Sequence, residues 1–190
     1  MSLKKIKKTY RRDTIRLRSW DYSWSAMYFV TICTKDKKHY FGRIENDVMQ
    51  LSKIGEIVEI EWQKTAYLRP DMNIILGEFI IMPNHFHAII GIGDNKFNSY
   101  TDKTDESLAV DANCQDKIAA ENRFAPQSKN LAAIIRGFKG SVTRQARLIN
   151  PRFGWQNRYH DHIIRNGKSF DMIASYIANN PLTWNKDCYR

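Results

Sequence analysis

The stretch "MNIILGEFIIMPNHFHAIIGI" (72–92) holds two apolar runs separated only by Pro83 and Asn84. Pro cannot donate to a sheet ladder, and Pro-Asn punctuates a turn, so each run reads as a strand and the pair as a tight antiparallel unit. The rest of the chain must cover that unit. "AMYFVTICT" (26–34) is aromatic and β-branched and predicts another buried strand. An extended segment follows around "HYFGRIENDVMQL", with "END" as a hairpin turn. Residues 52–68 open on Ser52 as an N-cap and repeat apolar side chains at Ile54, Ile57, Val58, Trp62 and Ala66, which predicts an amphipathic helix ending before Pro70. A second helix is predicted from Leu131, Ile134, Ile135, Phe138, Val142 and Ala146, and a third over 168–181 with Ser169 as N-cap and Pro181 as stop.

The order β-β-α-β-β-α-α, with short connections between sequential strands, implies an α+β fold. The expected architecture is an antiparallel sheet with helices packed on one face, of which the ferredoxin-like arrangement is one member. The 190 residues suit a single domain, 1–190. A basic N-terminal arm (1–20) precedes it, and residues 94–128, polar and without a sustained period, are expected to form a mobile insertion. Lys and Arg outnumber Asp and Glu by 30 to 20, a net +10 that favours a polyanionic partner, nucleic acid first. No apolar run approaches the roughly 20 residues of a membrane span. The Lys-rich start lacks the apolar block of a signal peptide, so a cytoplasmic protein is expected. Cys33, Cys114 and Cys188 are odd in number and share no C-x-x-C spacing, which argues against a disulfide framework or a zinc ribbon.

In a strand, residues two apart project from the same face about 6.6–6.8 Å apart. His85 and His87 can therefore share an ion while Phe86 enters the core. Four of the five histidines fall in two clusters, "HFH" and "YHDH" (159–162), the fifth being His39. If both clusters face one pocket, His162 completes the ligand set. Tyr159 lies in the same cluster, and a phenol is a nucleophile once its proton is removed. A tyrosine beside a divalent ion suggests phosphodiester cleavage through a covalent phosphotyrosine. That chemistry conserves the bond energy and needs no nucleotide cofactor, and no Walker loop is present. Packing and hydrogen bonding inside the fold are the alternative use of each of these side chains.

"MPNHFH" resembles the metal-binding motif of HUH endonucleases. "RRDTIRLRSWDYSWSAMYFVTICT", "FGRI", "IIRGFKGSVTR", "WQNRYHDHIIRN" and "YIANNPLTWNKD" resemble, in that order, the REP-associated tyrosine transposases and their single-tyrosine insertion-sequence relatives. The resemblance implies a ferredoxin-like HUH core that frequently dimerises, with single-stranded or hairpin DNA as substrate. His85 and His87 would bind Mg²⁺ or Mn²⁺ with His162 as third ligand, while Tyr159 takes the 5′ phosphate. Asn84 and Gln156 would support the metal-bound water or the DNA. Arg12, Arg16, Arg136, Lys139 and Arg165 are the expected phosphate contacts, and Trp20 or Trp155 could stack on unpaired bases. A domesticated, non-catalytic DNA-binding protein is the alternative reading.

Overall fold

The computed structural model describes residues 20–98 and 128–190. Arg12, Arg16, Cys114, nearly all of the basic arm and most of the 94–128 insertion lie outside these residues. Strands β1 (Ala26–Cys33), β4 (Ile74–Met82), β5 (His85–Ile92) and β6 (His160–Ile164) form one sheet in the order β4-β5-β1-β6, every neighbouring pair antiparallel. Between β1 and β4 come the hairpin of β2 (Gly42–Glu45) and β3 (Val48–Leu51) and the helix α1 (Lys53–Tyr67). Helix α2 (Leu131–Ile149) connects β5 to β6, and α3 (Gly167–Asn179) follows. Without the small hairpin, β1-α1-β4-β5-α2-β6 is the βαββαβ order of a ferredoxin-like fold.

Local chemistry explains the boundaries. Asn46 and Asp47 sit at φ of 50° and 60°, the left-handed pair that a two-residue hairpin turn demands. The Ser52 hydroxyl accepts from the amides of Ile54 and Gly55, capping α1. A Cβ on Gly55 would stand 2.3 Å from the Phe41 carbonyl oxygen, so only glycine lets α1 start against that strand connection. Helix α3 is capped by Asn166, which accepts from the Ser169 amide, and not by Ser169 itself. Asn and Ser are comparable caps, and the tertiary chain path selects the earlier one. The short strand β6 is absent from the element order read off the sequence.

The two faces of the sheet are covered differently. Tyr28, Val30 and Ile32 of β1 and Phe86, Ala88, Ile90 and Ile92 of β5 point to one side. There they pack with Val58 and Trp62 of α1 and Ile134, Phe138 and Val142 of α2 in the main core. The expectation of helices on one face describes α1 and α2. Helix α3 lies on the other face, where Ile177, Phe170, Ile173 and Ala174 pack with Ile89, Ile164, Met27, Phe29 and Ile80. All eight residues of β5 are buried as a result, including both histidines.

Candidate active site

His85 and His87 project from the α3 side of β5, their ring centroids 4.5 Å apart. Each ring uses its Nδ1 for orientation. His85 Nδ1 meets Asn84 Oδ1 at 2.8 Å, while the Asn84 amide nitrogen donates to the carbonyls of Lys37 and Tyr189. Those two bonds fix which end of the Asn84 amide faces the imidazole. A carbonyl oxygen accepts, so the His85 proton resides on Nδ1 and Nε2 carries a lone pair. His87 Nδ1 is 2.8 Å from Thr31 Oγ1. Burial pushes both imidazoles down to a pKa of about 3, so both are neutral at physiological pH.

The third group at the pair is Asp187. Its Oδ2 stands 3.5 Å from His85 Nε2, and its Oδ1 accepts from the Tyr189 amide at 2.7 Å. Ligand atoms of His85, His87 and Asp187 all lie within 4.8 Å of one another. His85 Nε2 and Asp187 Oδ2 are both acceptors, both buried, and neither has a hydrogen-bond partner among the described residues. Two lone pairs facing each other in a dry site are unfavourable unless a cation lies between them, so the donor set fits a divalent metal. Asn180 is fully buried, with its side chain beside the Tyr176 hydroxyl.

His162 is not part of this cluster. In the sheet register it stands opposite Phe29 on β1, two strands from β5, and it is exposed. It is displaced from His87 by two strand spacings across the sheet and two residues along it, and its ring is not among the ligand atoms that gather at His85, His87 and Asp187. His160 is the histidine level with Thr31 and His87, and the Tyr189 ring stands between them, 6.3 Å from His160 and 5.5 Å from His87.

Tyr159 is also placed elsewhere. Its ring packs against the main core and its hydroxyl oxygen is buried, because β6 alternation turns His160 to the histidine face and the preceding residue to the other. Two tyrosine rings reach the histidines, Tyr189, 5.1 Å from His85, and Tyr176 on α3, and it is Tyr176 whose hydroxyl meets a ring nitrogen. Its hydroxyl is 3.2 Å from His87 Nε2, its ring is 5.3 Å from the His87 ring, and the residue is 41% exposed. Burial raises its pKa first and the Asp187 charge adds to this, whereas the Asn180 side chain opposes them.

Of the expected DNA contacts, Arg136 and Arg165 are exposed. Lys139 is committed internally: its ammonium donates to the Gln156 and Arg158 carbonyls at 2.8 and 3.0 Å. Trp20 donates to the Tyr28 hydroxyl and packs against the main core, and the Trp155 ring lies among Phe41, Phe138 and Phe153. Gln156 is exposed, and Asn84 orients His85. Asp187 and Tyr176 escaped the reading of the sequence. The available signal was "YIANNPLTWNKD", which places a tyrosine beside an apolar helical stripe and an acid shortly after the helix stop.

This sheet, with its buried histidine pair and a helix laid over it, has the fold of the HUH tyrosine transposases. A REP-associated tyrosine transposase, solved bound to a REP hairpin, superposes with a TM-score of 0.55 at 16% identity, over 87% of this chain and 72% of that one. The chain belongs to the same family as an uncharacterized protein of Haemophilus influenzae, to which it is 36% identical over 182 residues, 94% of this chain and 92% of its relative. No family model matches the chain.

Proposed function

We propose that this protein is a metal-dependent DNA strand transferase of the tyrosine transposase type, with Tyr176 as its nucleophile. The observation that carries the reading is the Tyr176 hydroxyl, 3.2 Å from a histidine whose neighbour faces Asp187 across 3.5 Å. His85, His87 and Asp187 would hold Mg²⁺ or Mn²⁺. When bound, such an ion polarises a phosphate oxygen and offsets charge on the departing oxygen.

The Tyr176 oxygen attacks phosphorus and gives up its proton. The bond from phosphorus to the 3′ oxygen breaks, and that oxygen leaves as a hydroxyl after taking a proton. The products are a 5′-phosphotyrosine and a free 3′ hydroxyl, and reversal with another 3′ end joins strands without a nucleotide cofactor. Helix α3 supplies Tyr176 in the same chain as the histidines, so dimerisation is not required to complete the site. The net +10 and the exposed Arg136 and Arg165 favour a DNA substrate, single-stranded or hairpin, met in the cytoplasm. No helix among the described residues is long and apolar enough to cross a membrane.

The test is incubation with labelled DNA hairpins and Mn²⁺, followed by denaturing electrophoresis. A covalent adduct is expected, absent with a chelator and absent in Tyr176→Phe. An adduct formed by Tyr176→Phe would overturn the assignment. Salt-sensitive binding with no adduct on any hairpin would instead favour a non-catalytic DNA-binding protein.

A further inference from the structure

Beside the histidine pair opens a groove of about 1010 Å³. One wall is the end of β1 and the turn after it: Thr31, Cys33, Lys35, Asp36 and Lys37. The other is the segment from Trp155 to His160. Its inner end is Thr31, whose hydroxyl meets His87 Nδ1, so the groove and the histidine pair share that one residue.

The second wall has an unusual construction. Its backbone is pinned at both ends and in the middle. The Gln156 amide donates to the Cys33 carbonyl at 2.8 Å, residues 34 and 155 form a β-bridge, and Lys139 holds the carbonyls of Gln156 and Arg158. Arg158 is kept at φ of 68°, a conformation that costs a non-glycine residue energy and persists because the surroundings impose it. Yet the side chains of Gln156, Asn157 and Arg158 are all exposed, and none makes a hydrogen bond among the described residues. A rigid backbone that displays three consecutive unengaged polar side chains is prepared for a ligand, because little backbone ordering remains to be done on binding.

The chemistry of the three side chains selects the ligand. A phosphate offers acceptors only, and lysine or arginine suffices for it. Amides present a donor and an acceptor together, as the edges of nucleobases do, and Arg pairs with guanine as Asn and Gln pair with adenine. Lys35 on the opposite wall suits the backbone of the same strand.

Resting on the proposed strand-transfer reading, we infer that the Gln156-Asn157-Arg158 loop reads the unpaired bases next to the scissile phosphate and sets the enzyme's sequence preference. Lys139 is then a positioning residue that keeps the loop in place from α2. This assigns Lys139 a structural part in recognition instead of a phosphate contact.

The test uses the full chain with Mn²⁺ and a pool of DNA hairpins whose single-stranded flank is randomised, with the bound and the covalently attached fractions sequenced separately. The wild-type protein is expected to enrich particular bases. Asn157→Ala and Arg158→Ala should each weaken the preference at one position by about fivefold or more, the lower end of what one base-edge contact contributes. Lys35→Ala should weaken binding across all sequences and flatten its salt dependence. The inference is overturned if both loop variants enrich the same bases as strongly as wild type, or if wild type enriches none. Adduct formation reports separately on the strand-transfer reading. Unchanged preference with an adduct sinks the loop assignment alone, whereas altered preference without any adduct sinks the transferase and leaves base reading in place.

Discussion

The two faces of the central sheet are built from the same strands and do opposite things with burial. On the α1 and α2 side, Trp62, Phe86 and Phe138 pack edge to face or tilted, with centroids 4.9 to 5.6 Å apart, and the polar groups are few: Thr65, the Trp62 indole nitrogen, and Glu61, which is bonded to Ser141. On the α3 side, the apolar patch around Ile89 and Ile177 gives way to His85, His87, Thr31 and Asp187, groups that lose water without all finding partners. The first face stores stability. The second gives up some of it by holding lone pairs in a fixed array, a cost that a bound cation would offset.

The most decisive way to break that contrast is to exchange the roles of the two tyrosines. Tyr176→Phe should abolish the covalent DNA adduct, whereas Tyr159→Phe should retain it, read on the same denaturing gel. Next in size, Trp62→Ala should cost about 3–5 kcal/mol in urea unfolding, since a fully buried ring leaves a cavity in the main core. Asn84→Ala should weaken Mn²⁺ binding about 10–100-fold by calorimetry, because His85 loses the acceptor that fixes its proton on Nδ1.

Smaller in effect is the contrast between thiols. Burial pushes Cys33 up to about 11, so at pH 8 iodoacetamide should modify exposed Cys188 well before Cys33, as read by peptide mass mapping. Because the folded value lies above the unfolded one, the stabilisation tied to the protonated Cys33 is present below about pH 9 and is lost as pH rises through about 11. Smallest of all, Tyr67→Ser, at a site 84% exposed, should shift stability by no more than about 0.5 kcal/mol.

Much of the first face was legible. Apolar period and caps marked α1 and α2 because those helices bury a broad stripe, and Ser52 is the N-cap in the structure. The "END" turn appears as the left-handed pair Asn46 and Asp47. Strand β6 was not legible, since five residues at a sheet edge carry too little alternation to separate strand from helix. The histidine pair announced itself through strand spacing, but its companions did not. Tyr176 looks like one more aromatic on an amphipathic helix, and Asp187 like one more surface acid.

The residue pattern by itself determined an antiparallel α+β sheet, the adjacency of His85 and His87 on one face, and the basic balance of the chain. Those properties depend on neighbours in sequence, where backbone geometry dictates which side chains share a face. Which face α3 covers, and hence which tyrosine and which carboxylate meet the imidazoles, was decided only by tertiary packing. Burial of Ile177 against Ile89 seats the helix there, and no period of two or 3.6 residues records the partner across that contact.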